Sequence, residues 1–280
     1  MVVQLLQWNA RGILGHRHEF HQLLVANSFD IICIQASFLK PDIQYCPPGY
    51  NGIRCDRQTA KGGLVIFTKK GLIYTEHKRP ADMECQAVTI RTSVGMVSVV
   101  NVYVPPGTDV SPPPFSDLFQ RTNTIIVGDM NARNRLWGSD TDDVRGRVLE
   151  SAIDANSYVV LNNGQGTHQT NSGSMTHIDV SLSSRKLATK CKWTTLNNLM
   201  GSDHAPILIS INARPEQQLS SVPKWKLTSA DWTIFRQSVE NQIQAVTINE
   251  HEEVDQFNSK VVDILITAAE ESIPKTRLSL

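Results

Sequence analysis

IICIQASFLKP, residues 31 to 41, opens with an unbroken apolar run of Ile31, Ile32, Cys33 and Ile34 and turns polar at Gln35. A short β-branched run of this kind predicts a strand buried on both faces. In open α/β architectures the carboxyl ends of such strands are where ligands and catalytic groups collect. The residue at that mouth is Ala36. A methyl group does no chemistry, so the position is a gap in whatever its neighbours build.

Similar runs recur along the chain: VVQLLQWN (2–9), GGLVIFTK (62–69), QAVTIRT (86–92), MVSVVNVYV (96–104), TIIVGDMN (124–131), HIDVSLSS (177–184) and APILISI (205–211). Their β-branched content and the Gly, Pro and Asn between them predict two packed sheets. Helical spacing appears in HEFHQLLVANS (18–28), through Phe20, Leu23 and Leu24, and in GRVLESAIDANS (146–157), through Val148, Leu149, Ala152 and Ile153. Strands and helices interleaved in this way predict an α/β fold, a four-layer α/β/β/α sandwich of two mixed sheets flanked by helices. Composition shifts near Ala213, where RPEQQLSSVP (214–223) reads as linker. Beyond it, a Ser or Asp cap at SADWTIF and a second amphipathic run over 254–273, stopping before Pro274, predict a helical extension. The expected organisation is thus a domain over 1–212, a linker over 213–223 and a helical extension over 224–280.

The chain has 280 residues, 40% hydrophobic and 19% charged, and no apolar run approaches the ~20 residues needed to span a bilayer. The start, MVVQLLQWNARG, has neither a basic leader nor a small-residue cleavage site and reads as a strand, so no secretion signal is expected. Five widely spaced cysteines without a CxxC pair read as free thiols in a reducing compartment, and no zinc site is expected from them. The overall charge is zero, but residues 1–80 carry ten basic and five acidic groups. Arg11, Arg17, Lys40, Arg54, Arg57 and Lys61 there suit a polyanion, or an ordinary solvated face equally well.

Three short motifs carry chemistry. In VGDMN (127–131) a buried strand ends at Asp129, and period-two alternation places Asn131 on the same side with Met130 facing away. A carboxylate and a carboxamide so placed can hold a water and a charged oxygen, although the same letters also make a plain turn. In GSDHAP (201–206) Asp203 and His204 point apart on an extended chain and suit different roles, one toward a metal and one toward a phosphate. Asp179, in an apolar strand, needs a buried partner, and His204 is the obvious one. A helix cap beside a surface histidine is the plainer alternative. In NVYVPP (101–106) Tyr103 closes a long strand before two prolines, where its hydroxyl can reach a phosphate or simply pack. Asn9, in QWNARG, closes the first strand in the same manner.

Taken in order, Asn9, position 36, Tyr103, Asp129 with Asn131, Asp179, and Asp203 with His204 resemble the endonuclease/exonuclease/phosphatase superfamily of DNase I-like fold. WNARG, GGLVIF, NVYVPP, GDMNARNRLWGS, RGRVLESAI, THIDVSLSS and GSDHAPI are most similar to the apurinic-endonuclease-like domain of LINE-type, non-LTR retrotransposon polyproteins, over residues 1 to about 212. The tail resembles the stretch leading toward a reverse transcriptase, which marks the chain as a fragment.

The resemblance implies a DNA endonuclease dependent on Mg²⁺ or Mn²⁺. It nicks double-stranded target DNA to leave a 3′-hydroxyl primer for reverse transcription of the element RNA. It implies that Asp129 activates the water, Asn131 donates to the oxyanion, and His204, paired to Asp179, and Tyr103 donate to the scissile phosphate. Asn9 and Asp203 complete the metal environment, and Thr176 supports Asp179 or touches the DNA backbone. Arg11, Arg133, Asn134 and Arg135 are candidate DNA contacts, or solvated loop residues. A chromosomal substrate implies a nuclear location. The loop GQGTHQTNSGSMT (164–176) is a candidate hairpin near the groove.

Two positions depart from the family pattern. Pro106 stands where an Asn is usual and removes one donor, and Ala36 stands where the family has its principal metal-ligating Glu. A hard cation wants anionic oxygen. The expectation is therefore a catalytically dead or strongly impaired copy, as a single deliberate substitution in an otherwise intact set would leave. The alternatives are a DNA-binding module of the same fold that has given up catalysis, or a superfamily phosphatase or deadenylase.

Overall fold

A computed structural model describes residues 2–57, 61–77, 84–107, 123–217, 225–246 and 254–275. They fall into two compact units, Met1–Gln218 and Leu219–Leu280.

The first unit is built on two six-stranded mixed sheets. One has the order β13-β14-β1-β2-β4-β3, formed by Cys191–Thr195, Ile207–Ile211, Val3–Asn9, Ile31–Gln35, Leu64–Lys69 and Tyr50–Cys55. The other has the order β5-β6-β7-β8-β12-β9, formed by Tyr74–His77, Cys85–Thr92, Gly95–Tyr103, Thr124–Asp129, Asp179–Ser184 and Tyr158–Val160. A separate two-stranded ribbon pairs β10 (His168–Gln169) with β11 (Met175–Thr176), so the 164–176 loop does form a hairpin.

Alternation along each strand sorts its side chains into layers. Val3 and Leu5 of β1, Ile31 and Cys33 of β2, Val97 and Val99 of β7, and Ile125 and Val127 of β8 meet between the sheets. Their neighbours Leu6, Trp8, Ile32 and Ile34 face outward to helix α1 (Arg17–Ala26), whose Phe20 stacks on Trp8 at 5.9 Å. Val100, Val102, Ile126, Val180 and Leu182 face the opposite way, toward helix α2 (Val144–Ala155). Asp143 caps α2 by accepting the Gly146 N–H at 2.6 Å. Leu149 and Ile153 are its buried stripe, each contributing about 2 kcal/mol by removal from water. A short helix α3 (Arg185–Ala188) follows β12. Helices thus flank a sandwich of two mixed sheets, the expected layering.

The four strands without a matching sequence run, apart from the ribbon, are β3, β5, β9 and β13, and these are the four edges of the two sheets. Half-exposed edge strands carry polar residues on more than one face, so no apolar run announces them.

The segment expected as linker begins as part of this unit. Ala213 is buried in the central core. Arg214 exchanges hydrogen bonds with Ser93, and Glu216 bonds the carbonyl of Arg91 and the N–H of Ile73. Backbone pairing holds these residues to the second sheet despite their polar composition. Residues 218–223 of the same segment lie outside the described residues.

Among the described residues the second unit contains two α-helices, α4 (Trp232–Gln244) and α5 (Val254–Ser272). Asp231 caps α4 through the N–H groups of Thr233 and Ile234 at 3.0 and 3.1 Å. Ser238 donates to Glu271 at 2.6 Å, and Lys226 N–H to the carbonyl of Pro274 at 2.7 Å, which ties the pair together.

Candidate active site

The inward face of each central strand changes character toward one end of the sandwich. β1 continues its inward set Val3, Leu5 with Gln7 and Asn9, β2 ends on Gln35, β7 on Asn101 and Tyr103, and β8 on Asp129. β12 begins on Asp179. The registers bring these ends level: Asn9 is paired with Gln35, Tyr103 with Asp129, and Asp129 with Asp179.

Buried polar groups are mostly satisfied, and here they bond one another, with Gln7 Oε1 left over. Asn101 donates to the carbonyls of Ile34 and Val65 at 3.0 and 3.2 Å and accepts from Gln35 Nε2 at 2.6 Å. Gln7 Nε2 donates to Gln35 Oε1 at 3.0 Å and to Asp179 Oδ1 at 3.1 Å. This layer of amides is the floor of a cleft of about 670 Å³ lined by Asn9, Tyr103, Asp129, Asn131, Asp203 and His204 among others.

Over the floor sits a charged centre. His204 Nδ1 lies 2.8 Å from Asp179 Oδ2, and Asn9 Nδ2 donates to Asp129 Oδ2 at 2.8 Å. His204 Nε2 stands 3.9 Å from Asp129 Oδ2 and 3.8 Å from Asp203 Oδ1. Burial first, then the charge of Asp179, pushes the Asp129 carboxyl up to about 7, with His204 and two hydrogen bonds opposing. Burial pulls His204 down, but Asp179, Asp129 and Asp203 together outweigh it and hold the imidazole up at about 9. The result is an acid-base pair set several units from ordinary values by identifiable neighbours. The loop carrying His204 is fixed from three sides: Ser202 donates to the Asn9 carbonyl at 2.8 Å, His204 N–H to Ser202 Oγ at 3.2 Å, and Trp8 Nε1 to the His204 carbonyl at 3.2 Å.

Three strands that feed the cleft are followed by non-glycine residues of left-handed backbone, Arg11 (φ 43°), Ala36 (φ 46°) and Asn131 (φ 46°). Such residues persist only where surrounding bonds over-determine them. At position 36 the carbonyl accepts from Gly12 N–H at 2.9 Å, and the next two N–H groups donate to Gly63 and Gly62. Ala36 is therefore held in place at the cleft wall, among the residues that line it. Asn131 closes a turn on Asp129 through its N–H at 2.9 Å, and its Nδ2 donates to the Val104 carbonyl at 2.9 Å. The pairing of a turn with a cleft residue joins the two readings of VGDMN.

Burial, with the charges of Asp129 and Glu84, raises the Tyr103 hydroxyl's pKa, and Arg57 lies over the ring at 5.8 Å. Arg57 is paired with Glu84, which also accepts Gly63 N–H at 2.6 Å. Arg11 is paired with Asp203. Thr176 faces the cleft and bonds His168 Nδ1 at 2.9 Å rather than Asp179.

Most of the expected residues converge: Asn9, Arg11, Ala36, Tyr103, Asp129, Asn131, Arg133, Thr176, Asp203 and His204 all line the cleft, with Asp179 buried beneath. Two do not. Asn134 is buried and occupied at both ends, accepting Leu136 N–H at 2.8 Å and donating to Glu150 at 2.7 Å, so it caps a turn and does not line the cleft. Arg135 is turned to Asp142 at 3.3 Å, away from the cleft lining. Sequence reading passed over Gln7 and Asn101, whose signal was the alternation that makes them inward-facing polar residues in apolar strands. It also passed over His168, which belongs to the ribbon and had no such signal.

Two sets of side chains offer close-packed metal donors among the described residues, Asp129 with Asp179 and His204, and His168 with Asp203 and His204. Asp203 Oδ1 is buried without a hydrogen-bond partner.

Residues 97–208 match the family model described as endonuclease-reverse transcriptase. Over 279 residues the chain is 26% identical to the RNA-directed DNA polymerase from mobile element jockey of Drosophila melanogaster, covering 96% of this chain and 30% of that protein. It is 26% identical over 223 residues to the probable RNA-directed DNA polymerase from transposon X-element of the same species, covering 76% and 24%. The chain thus spans under a third of the length of these relatives. In fold it is similar to the endonuclease domain of TRAS1, a telomere-specific non-LTR retrotransposon (TM-score 0.62, 19% identity, 75% of this chain and 98% of that one). It is similar also to the AP endonuclease LMAP from Leishmania major (TM-score 0.60, 15% identity, 75% and 87%).

Proposed function

We propose that the chain is an endonuclease domain of the LINE-type, non-LTR retrotransposon kind, its cleft built to nick double-stranded DNA in a cation-dependent reaction, leaving 3′-hydroxyl and 5′-phosphate ends. The observation that carries the reading is the opposed pair at the cleft centre, a carboxyl near 7 at Asp129 beside an imidazole near 9 at His204. One group is poised to take a proton near neutral pH and the other to hold one.

Asp129 accepts the proton of the attacking water. His204, kept protonated by Asp179, directs Nε2 at the scissile phosphate, and the Tyr103 hydroxyl donates from the facing wall. Asn131 Nδ2 has one hydrogen left after Val104 with which to bind a phosphate oxygen. Arg11 and Arg133 draw the DNA backbone to the rim.

The donor set suits a hard cation, because Asp203 Oδ1 is a buried carboxylate oxygen with no hydrogen-bond partner. Asn9 and Asp203 would hold Mg²⁺ or Mn²⁺. When bound, such a cation neutralises phosphate charge and makes water more acidic. Ala36 supplies no oxygen to it, so this chain is expected to cleave at least about 10³-fold more slowly than with a carboxylate there, a difference of roughly 4 kcal/mol.

The test is nicking of supercoiled plasmid with Mg²⁺ or Mn²⁺. The chain is expected to leave the plasmid closed, and Ala36→Glu to nick it. Salt-dependent DNA binding by both proteins with cleavage by neither would replace the reading with a docking role. In a full-length element the nick's 3′-hydroxyl would prime reverse transcription of the element RNA by the polymerase part, within the nucleus. No helix among the described residues is long and apolar enough to cross a membrane.

A further inference from the structure

His168 takes no part in the proposed reaction, yet it stands in the cleft wall with its ring 4.7 Å from that of His204. Its tautomer is set locally. The Thr176 hydroxyl donates to the His168 carbonyl at 3.3 Å, so at 2.9 Å from Nδ1 the same oxygen acts as acceptor of the Nδ1 proton. Nε2 faces Asp203, 3.4 Å from Oδ2. His204 is anchored likewise, with Nδ1 held by Asp179 at 2.8 Å and Nε2, whose proton a metal ion would displace, 3.8 Å from Asp203 Oδ1.

We propose that His168, Asp203 and His204 form a site for Zn²⁺ at the cleft mouth, distinct in chemistry from an all-oxygen Mg²⁺ site. All three donor groups have ligand atoms within 4.8 Å of one another. Tetrahedral zinc with bonds of about 2.0–2.1 Å spaces its donors by roughly 3.3–3.4 Å, close to the 3.4 Å from His168 Nε2 to Asp203 Oδ2 and under the 3.8 Å from His204 Nε2 to the other oxygen, Oδ1. Ligating histidines characteristically have the second ring nitrogen fixed by an oxygen, and here a hydroxyl and a carboxylate do so. Two imidazoles with one carboxylate favour Zn²⁺ over Mg²⁺. Asp203 Oδ1 has no other partner, and the fourth position opens to the cleft. Arg11 contacts the same carboxylate, but its side chain is 56% exposed and can turn to solvent.

The site stands whether or not the chain cuts DNA. Its consequence rests on the endonuclease reading: a cation on His204 Nε2 takes that atom away from phosphate, so Zn²⁺ would block nicking that Mg²⁺ supports.

Calorimetric titration of the full chain with Zn²⁺ and, separately, Mg²⁺ tests the site without DNA. One Zn²⁺ is expected to bind at least about tenfold more tightly than Mg²⁺. His168→Ala should abolish that binding, and Thr176→Val, which keeps the imidazole and removes only the partner of Nδ1, should weaken it about tenfold. Circular dichroism confirms that each variant is folded. Absence of Zn²⁺ binding by the unaltered chain, or equal affinity in folded His168→Ala, overturns the proposal. If Ala36→Glu fails to nick while Zn²⁺ binding follows His168, only the endonuclease reading falls.

Discussion

Asp129 and Asp179 are direct partners across the β8–β12 ladder, two buried carboxylates side by side whose companions differ. Asp179 is neutralised by His204 and supported by Gln7, whereas Asp129 has the amide of Asn9 and a backbone N–H. Like charges this close cannot both ionise freely. Asp129 bears the cost of burial.

That division predicts a pH-dependent gain from Asp129→Asn. With its carboxyl raised from 3.8 to about 7, Asp129 is protonated in both states at low pH and contributes nothing there. Between those values the unfolded chain has lost a proton that the folded chain keeps, so stability falls as pH rises, and above about 7 the full penalty stands. The asparagine variant escapes it. In metal-free buffer its melting temperature should match the unaltered chain near pH 4 and exceed it by several degrees at pH 8. A constant difference across that range would contradict the assignment.

His204 gives the opposite dependence. Its pKa is raised from 6.5 to about 9, so the stabilisation from its ion pair is complete below 6.5 and is lost as pH rises through about 9. Asp179→Asn removes the main opposing partner to burial, and the imidazole should fall from about 9. Proton NMR titration of the His204 ring reads this directly. The same variant should lose about 3 kcal/mol at pH 6, the cost of stranding one member of a buried pair.

The sequence made the interior of this molecule legible and left its borders obscure. Central strands such as IICIQ are buried on both faces and so announce themselves, while edge strands such as Tyr74–His77 and Cys191–Thr195 carry polar residues that periodicity cannot distinguish from loop. The same logic divides the site. Asp129, Asp179 and Asn9 end apolar strands, and their placement follows from chain order and alternation. Asn134 sits in a polar loop where a buried cap and a DNA contact have the same composition. His168 reaches the cleft only because a two-residue ribbon pairs it beside His204, a long-range contact that no local pattern encodes.

Asn101 should matter more to stability than a single amide suggests. Replacing it by leucine takes the Asn101 amide from the carbonyls of Ile34 and Val65 and leaves Gln35 Nε2 only the 3.4 Å bond to the Cys33 carbonyl. Each stranded group costs about 1–3 kcal/mol, so urea unfolding of Asn101→Leu should show a loss of at least about 3 kcal/mol. Since Gln35 orients Gln7 and Gln7 holds Asp179, the His204 ring resonance should shift as well. A loss below about 1 kcal/mol would mean that water enters and replaces the amide.

Gly128 is the residue on which the position of Asp129 depends most directly. It is paired with Val102 on one side and Val180 on the other, at the centre of its sheet. A Cβ built there would lie 1.8 Å from the Val102 carbonyl oxygen. Backbone on a packed central strand cannot yield as a flexible side-chain tip would, so Gly128→Ala must part β7 from β8 at the point where Tyr103 and Asp129 are in register. The expected result is a destabilisation of at least about 3 kcal/mol. In the Ala36→Glu background, any folded fraction should also lose nicking, because the base and the hydroxyl donor are displaced together. An alanine variant of near-normal stability that still nicked would show that the strands separate without disturbing the cleft.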